Sequence, residues 1–110
     1  RVMLRTVHIS NDSILNYGSL QIDTNNHRVV RDGVTVDLTV REYAILEYLV
    51  RNKNIVVTRE QIRANIWSID DDINSNVVDV YIRYLRRKID DPFEEKLIHT
   101  IRGVGYRLEC

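Results

Sequence analysis

The chain has 110 residues, 44% of them hydrophobic and 29% charged, the balance of one soluble globular domain. Sixteen Lys and Arg are offset by sixteen Asp and Glu, so the net charge is zero and any surface for a polyanion has to be local. A single cysteine, Cys110, excludes an internal disulfide and a thiolate metal site. No apolar run approaches the ~18 residues of a membrane span, and Arg1-Val2-Met3-Leu4-Arg5 is too short in apolar length for a secretory signal, so the chain reads as cytosolic.

The first elements read as short strands: Ile14 to Gly18, Leu20 to Ile22, Arg28 to Val30 and Val34 to Val36. Turn residues separate them, namely Gly18-Ser19, Thr24-Asn25-Asn26 and Asp32-Gly33, the last suited to a two-residue hairpin loop. A small antiparallel sheet is expected. From Thr39 the period changes. Thr39-Val40-Arg41-Glu42 has the form of a capping box, in which the Thr hydroxyl accepts from the Glu42 amide and the Glu42 carboxylate accepts from the Thr39 amide. Tyr43, Leu46, Leu49 and Val50 then share one helical face with Ile45 at its margin, and the helix is expected to end between Asn52 and Asn54. After Ile55-Val56-Val57, a second box, Thr58-Arg59-Glu60-Gln61, opens a short helix through Ile62, Ile66 and Trp67.

Charge is then unevenly distributed. Ser68 to Ser75 holds Asp70, Asp71 and Asp72 without a base, whereas Tyr81 to Ile89 holds Arg83, Arg86, Arg87 and Lys88 without an acid. The second stretch belongs to a helix expected from about Asn76 to Ile89. Val78, Ile82, Leu85 and Ile89 form its buried stripe, and Asn76, Val80, Arg83, Tyr84 and Arg87 point away. Asp79 is spaced to pair with Arg83 and favours the helix N-terminus. Arg86, at the margin of the stripe, has a stem placed to cover apolar surface or a head placed to pair with Asp79. Asp90-Asp91-Pro92 ends the helix, and Leu97 to Arg102, Gly103-Val104-Gly105 and Tyr106 to Leu108 form a hairpin.

Three helices followed by a glycine-rich hairpin describe a winged helix-turn-helix, an α+β fold in which one helix enters a DNA groove and the hairpin is the wing. Arginine suits such a helix because its planar fork bonds phosphates or guanine edges through two parallel hydrogen bonds. Arg102 and Arg107 flank the wing turn, where Gly103 and Gly105 are expected to permit a tight turn and close approach to a phosphate chain. Trp67, Tyr43 and Tyr106 read first as core residues. His8, His27 and His99 are scattered, and no nucleophile motif occurs, so no catalytic residue, cofactor or metal is expected. Two classes of function remain from the residues alone: sequence-specific DNA binding, or a winged helix serving as a protein interaction module for an acidic partner.

The run Asn76-Val77-Val78-Asp79-Val80-Tyr81-Ile82-Arg83-Tyr84-Leu85-Arg86-Arg87-Lys88-Ile89, with Ile101-Arg102-Gly103-Val104-Gly105-Tyr106, resembles the DNA-binding effector domain of the OmpR/PhoB family of bacterial response regulators. The resemblance extends from about residue 14 to residue 108. It implies a four-stranded N-terminal sheet, three helices and a hairpin wing, bound as a transcription factor to direct-repeat promoter DNA. It further implies DNA contacts from Asn76, Val77, Tyr81, Arg83, Tyr84, Arg86 and Arg87 in the major groove. Thr100, Arg102 and Gly103 belong to the wing at the minor groove, and Trp67 becomes a phosphate neighbour. Asp70, Asp71 and Asp72 fall in the loop that the resemblance offers to RNA polymerase. Tyr84 stands where several members place a base-reading arginine, so base preference does not transfer. The family's phosphorylated receiver domain is absent from these residues, which implies a monomeric effector domain, residues 13–110, preceded by a linker remnant over 1–12.

Overall fold

The computed structural model describes residues 14–68, 71 and 76–109, and the chain divides into two compact units between Asp37 and Leu38. The expected linker remnant, residues 1–12, lies outside the described residues, as do Asp70 and Asp72 of the acidic loop.

In the first unit the four expected strands are present: β1 (Ile14–Tyr17), β2 (Leu20–Asp23), β3 (Arg28–Arg31) and β4 (Val34–Val36). They form an antiparallel meander in sequence order. In β2, Leu20 and Ile22 are buried while Gln21 between them is exposed, the two-residue period of a strand with one covered face. The β3–β4 loop has the expected two residues. Both take positive φ, +53° at Asp32 and +81° at Gly33, which is the geometry a tight hairpin requires. Asp23 organises the preceding turn by accepting from the Asn25 amide at 3.1 Å and the Asn26 side chain at 2.8 Å.

The second unit contains helices α1 (Val40–Arg51), α2 (Arg59–Ile66) and α3 (Val77–Ile89), with strands β5 (Val57–Thr58), β6 (Ile98–Ile101) and β7 (Gly105–Leu108). Both capping boxes form. Glu42 N–H donates to Thr39 Oγ1 at 3.3 Å and Thr39 N–H to Glu42 Oε1 at 2.9 Å, while Gln61 and Thr58 exchange the same bonds at 3.0 and 2.8 Å. α1 packs on α2, α3 and β7. Its covered arc is therefore wider than one stripe, and Ile45, expected at the margin, is fully buried. Ile62, Val78, Ile82, Leu85, Ile89, Leu97 and Leu108 complete a core in which each side chain contributes about 1.5–3 kcal/mol through burial.

The sequence predicted a two-stranded wing, but the sheet has three strands in the order β5-β7-β6. Val57 pairs with Tyr106 and Thr58 with Gly105, so the residue that caps α2 also ties that helix to the wing. Asp90 does more than stop α3. Only 2% exposed, it accepts from the amides of Leu97 at 3.0 Å and Ile98 at 3.1 Å, fixing the start of β6 to the end of α3.

Candidate nucleic-acid interface

α3 carries the candidate surface, and its composition explains its placement. Val78, Ile82, Leu85 and Ile89, none more than 2% exposed, anchor one face, and the opposite face presents Asn76, Arg83, Tyr84 and Arg87 to solvent. Val77, Val80 and Tyr81 are half-buried beside them. Asn76 occupies the N-cap position but makes no capping bond with its side chain.

The four bases of α3 divide into two classes. Lys88 Nζ donates to Glu42 Oε1 at 2.7 Å, holding α3 to α1. Arg86 donates through Nη2 to Thr100 Oγ1 at 2.6 Å and to the Ile98 carbonyl at 3.2 Å, and its guanidinium lies 5.6 Å from the centre of the Tyr106 ring. Of the two roles expected for Arg86, the pair with Asp79 does not form: its head bridges α3 to the wing strand β6, which offers two acceptors within reach of one planar fork. Thr100, expected at the wing interface, is exposed but is the acceptor of that bridge. Arg83 and Arg87 form no hydrogen bond or ion pair with the described residues and are both exposed.

Asp79 joins α3 to the rest of the framework. Arg59 Nε donates to its Oδ1 at 2.7 Å, and the Tyr106 hydroxyl donates to the same oxygen. The expected Asp79–Arg83 pair gives way to these two directed bonds from α2 and β7, and Arg83 adds only a weaker Coulombic pull. Burial pushes the Asp79 carboxyl upward, but the bonds from Tyr106 and Arg59 outweigh it and hold the group below its usual range. Burial, reinforced by the Asp79 carboxylate, pushes the Tyr106 phenol above its ordinary value. Glu42 resembles Asp79: burial opposes its charge, yet the bonds from Lys88 and the Thr39 backbone leave the carboxyl lowered.

The wing is a β6–β7 hairpin in which Ile101 faces Gly105, leaving residues 102–104 as its tip. Val104 N–H donates to the Ile101 carbonyl at 2.9 Å, and Gly103 takes φ +77°. Arg102 and Val104 project at the tip, and Arg102 has no hydrogen-bond or ionic partner among the described residues. Arg107, the other expected wing base, is instead paired with Glu109 at 2.9 Å. Gly105 is buried and has no positive φ. A Cβ there would stand 2.0 Å from the Val57 carbonyl oxygen, so this glycine is required by the approach of β5 rather than by a phosphate chain.

An aromatic series runs along the edge of the α3 face. The Arg41 guanidinium lies 5.2 Å from the Trp67 ring centre, Trp67 meets Tyr81 edge-to-face at 5.4 Å, and Tyr81 meets Tyr84 in the same way at 5.7 Å. Trp67 is 8% exposed, matching its reading as a core residue. Asp71 accepts from the Ser68 amide at 2.8 Å and pairs with Arg41 at 3.6 Å. The sequence reading passed over Arg63, an exposed base on α2 that lines a shallow depression with Arg59, Glu60 and Val78. The four-residue spacing of Arg59 and Arg63 was the available signal. Among the described residues no helix is long and apolar enough to cross a membrane.

Residues 33–108 match the protein family described as "Transcriptional regulatory protein, C terminal". The transcriptional regulatory protein HprR of Escherichia coli is 44% identical over 96% of this chain and 47% of its own length. Among solved structures, the Thermotoga maritima response regulator DrrB, an OmpR/PhoB homologue, superposes with a TM-score of 0.79 at 34% identity over 96% of this chain and 48% of its own. The DNA-binding domain of Klebsiella pneumoniae RstA, in complex with the RstA box, gives 0.77 at 30% identity over 87% of this chain and 96% of its own. The chain spans about half the length of the curated relatives it matches.

Proposed function

The chain belongs to the family of transcriptional regulatory protein C-terminal domains, and from that membership we propose that it binds double-stranded DNA sequence-specifically as the effector domain of a two-component response regulator. The family is one of transcription factors, not enzymes. In this reading α3 lies in the major groove, where Asn76, Val77, Tyr81, Arg83, Tyr84 and Arg87 meet bases and phosphates. Arg102 at the wing tip enters the adjacent minor groove, with Gly103 giving the tip its turn. Arg86 and Thr100 act mainly by holding wing and helix in one geometry. The observation that carries the reading is a division of labour among cations. Arg59, Arg86, Lys88 and Arg107 are tied to partners within the fold, while Arg83, Arg87 and Arg102 are presented on α3 and the wing without a hydrogen-bond or ionic partner among the described residues.

The wider assembly follows from the same reading. A receiver domain accompanies this unit in the full-length regulator, the acidic loop around Asp71 faces RNA polymerase, and the protein works in the cytoplasm on direct-repeat promoter sites. Alone, the domain is a monomer that binds a single half-site. The test is selection of bound duplexes from a random pool. Enrichment of a short motif, read as a tandem repeat by the full-length protein, is the expected result. Salt-insensitive binding without enrichment would instead favour a protein interaction module.

A further inference from the structure

The α3 surface contains one element that the arginines do not explain. Tyr84 is 39% exposed on the face that presents Arg83 and Arg87, yet its ring is not free to sweep that surface. It abuts Tyr81 edge-to-face at 5.7 Å, Tyr81 abuts Trp67 at 5.4 Å, and Trp67 is buried under the Arg41 guanidinium. The ring is thus built into the helix surface from below. Val80, one turn before it and half-buried, is a second apolar residue on this side of the helix.

We propose that Tyr84 is a specificity-determining residue that reads the 5-methyl group of a thymine through the exposed part of its ring. This rests on the DNA-binding reading above and deepens it. In the major groove, thymine is the only base that offers an apolar group, its C5 methyl, and apolar side chains recognise it by contact. Arginine at 83 and 87 supplies the planar forks suited to guanine edges and phosphates. A tyrosine ring cannot make such a two-bond contact, but it covers a methyl group well. Because the ring is already positioned, little side-chain freedom remains to be lost when DNA binds.

The experiment uses a duplex selected from a random pool by this domain. Each thymine is replaced in turn by uracil, which removes the methyl group and leaves every hydrogen-bonding atom in place. The protein as given is compared with Tyr84→Phe and Tyr84→Ala, both checked for unchanged melting. Uracil at one or two positions is expected to weaken binding about fourfold per methyl, the size expected for loss of one buried methyl contact. Tyr84→Phe should keep that penalty and Tyr84→Ala should abolish it. Uracil tolerated at every position, a penalty that survives in Tyr84→Ala, or a Phe variant that behaves like Ala would each overturn the proposal while leaving DNA binding standing. Failure of every variant and the parent to bind the duplex in a salt-dependent way would overturn the DNA-binding reading itself.

Discussion

The two wing glycines lie two residues apart, but replacing each with alanine should have different consequences. At Gly103 a Cβ meets nothing within 4 Å, and the only penalty is the positive φ of +77°, about 1 kcal/mol for a residue with a side chain. At Gly105 the φ is not positive, but the Cβ would stand 2.0 Å from the Val57 oxygen and 2.8 Å from the Thr58 Cα, both backbone atoms that no side-chain rotation can clear. β5 must move away from β7. That sacrifices the Val57–Tyr106 and Thr58–Gly105 pairing, at about 0.5–1.5 kcal/mol per hydrogen bond. It also disturbs Thr58, whose capping of α2 contributes about 1 kcal/mol. The sum for Gly105→Ala is about 2–4 kcal/mol. In a domain of this size each kcal/mol moves the melting temperature by about 4 °C, so thermal unfolding followed by circular dichroism should show a fall of about 8–16 °C for Gly105→Ala and about 4 °C for Gly103→Ala. Equal melting of Gly105→Ala and the parent, or the reverse ranking of the two variants, would refute the argument that β5 dictates this glycine.

Leu85→Ala, at a fully buried position, should lower stability by about 2–5 kcal/mol in urea titration through lost burial and a residual cavity. Arg86→Ala should reduce both stability and DNA affinity, since it removes the bridge to Ile98 and Thr100; a loss of affinity alone would return Arg86 to the set of direct contacts. The lowered carboxyls of Asp79 and Glu42 stabilise the fold above about pH 4, and that contribution should disappear as pH falls through their folded-state values. The raised Tyr106 phenol acts in the opposite direction: its contribution is complete below about pH 10 and should be lost as pH rises further, so Tyr106→Phe should flatten the alkaline limb of a stability profile. Arg102→Ala should weaken binding most on sites with A·T-rich flanks, where the narrow minor groove concentrates negative potential; equal loss on G·C flanks would make Arg102 an ordinary phosphate contact.

Features set by near neighbours in the chain were readable from the sequence. The Thr39 and Thr58 capping boxes, the Asp32-Gly33 turn and the Val78, Ile82, Leu85, Ile89 stripe each depend on residues within one or two turns of each other, and each appears as expected. Partnerships between distant segments were not readable. β5 is only two residues long, too short for any alternation, and it becomes a strand because β7 arrives beside it. Helical spacing puts Arg86 at the margin of the buried stripe, apart from Arg83 and Arg87, but does not show that Thr100 and the Ile98 carbonyl lie within its reach. Asp79 had a plausible partner one turn away and bonds instead to Arg59 and Tyr106. The exposed face of α3 was thus legible in the sequence, while the partners that hold Arg86, Lys88 and Arg107 required the fold.

The assignment of the exposed α3 face to DNA is tested most directly by titrating a selected duplex at increasing salt with the parent domain, Arg83→Ala and Arg87→Ala. Neutralised phosphates release counterions, so log affinity for the parent should fall linearly and steeply with log salt concentration. Each variant should bind more weakly at moderate salt with unchanged melting, and a variant that loses a phosphate contact should also lose about one unit of that slope. A flat salt dependence in the parent, or parental affinity in both variants, would contradict the assignment of this helix face to DNA.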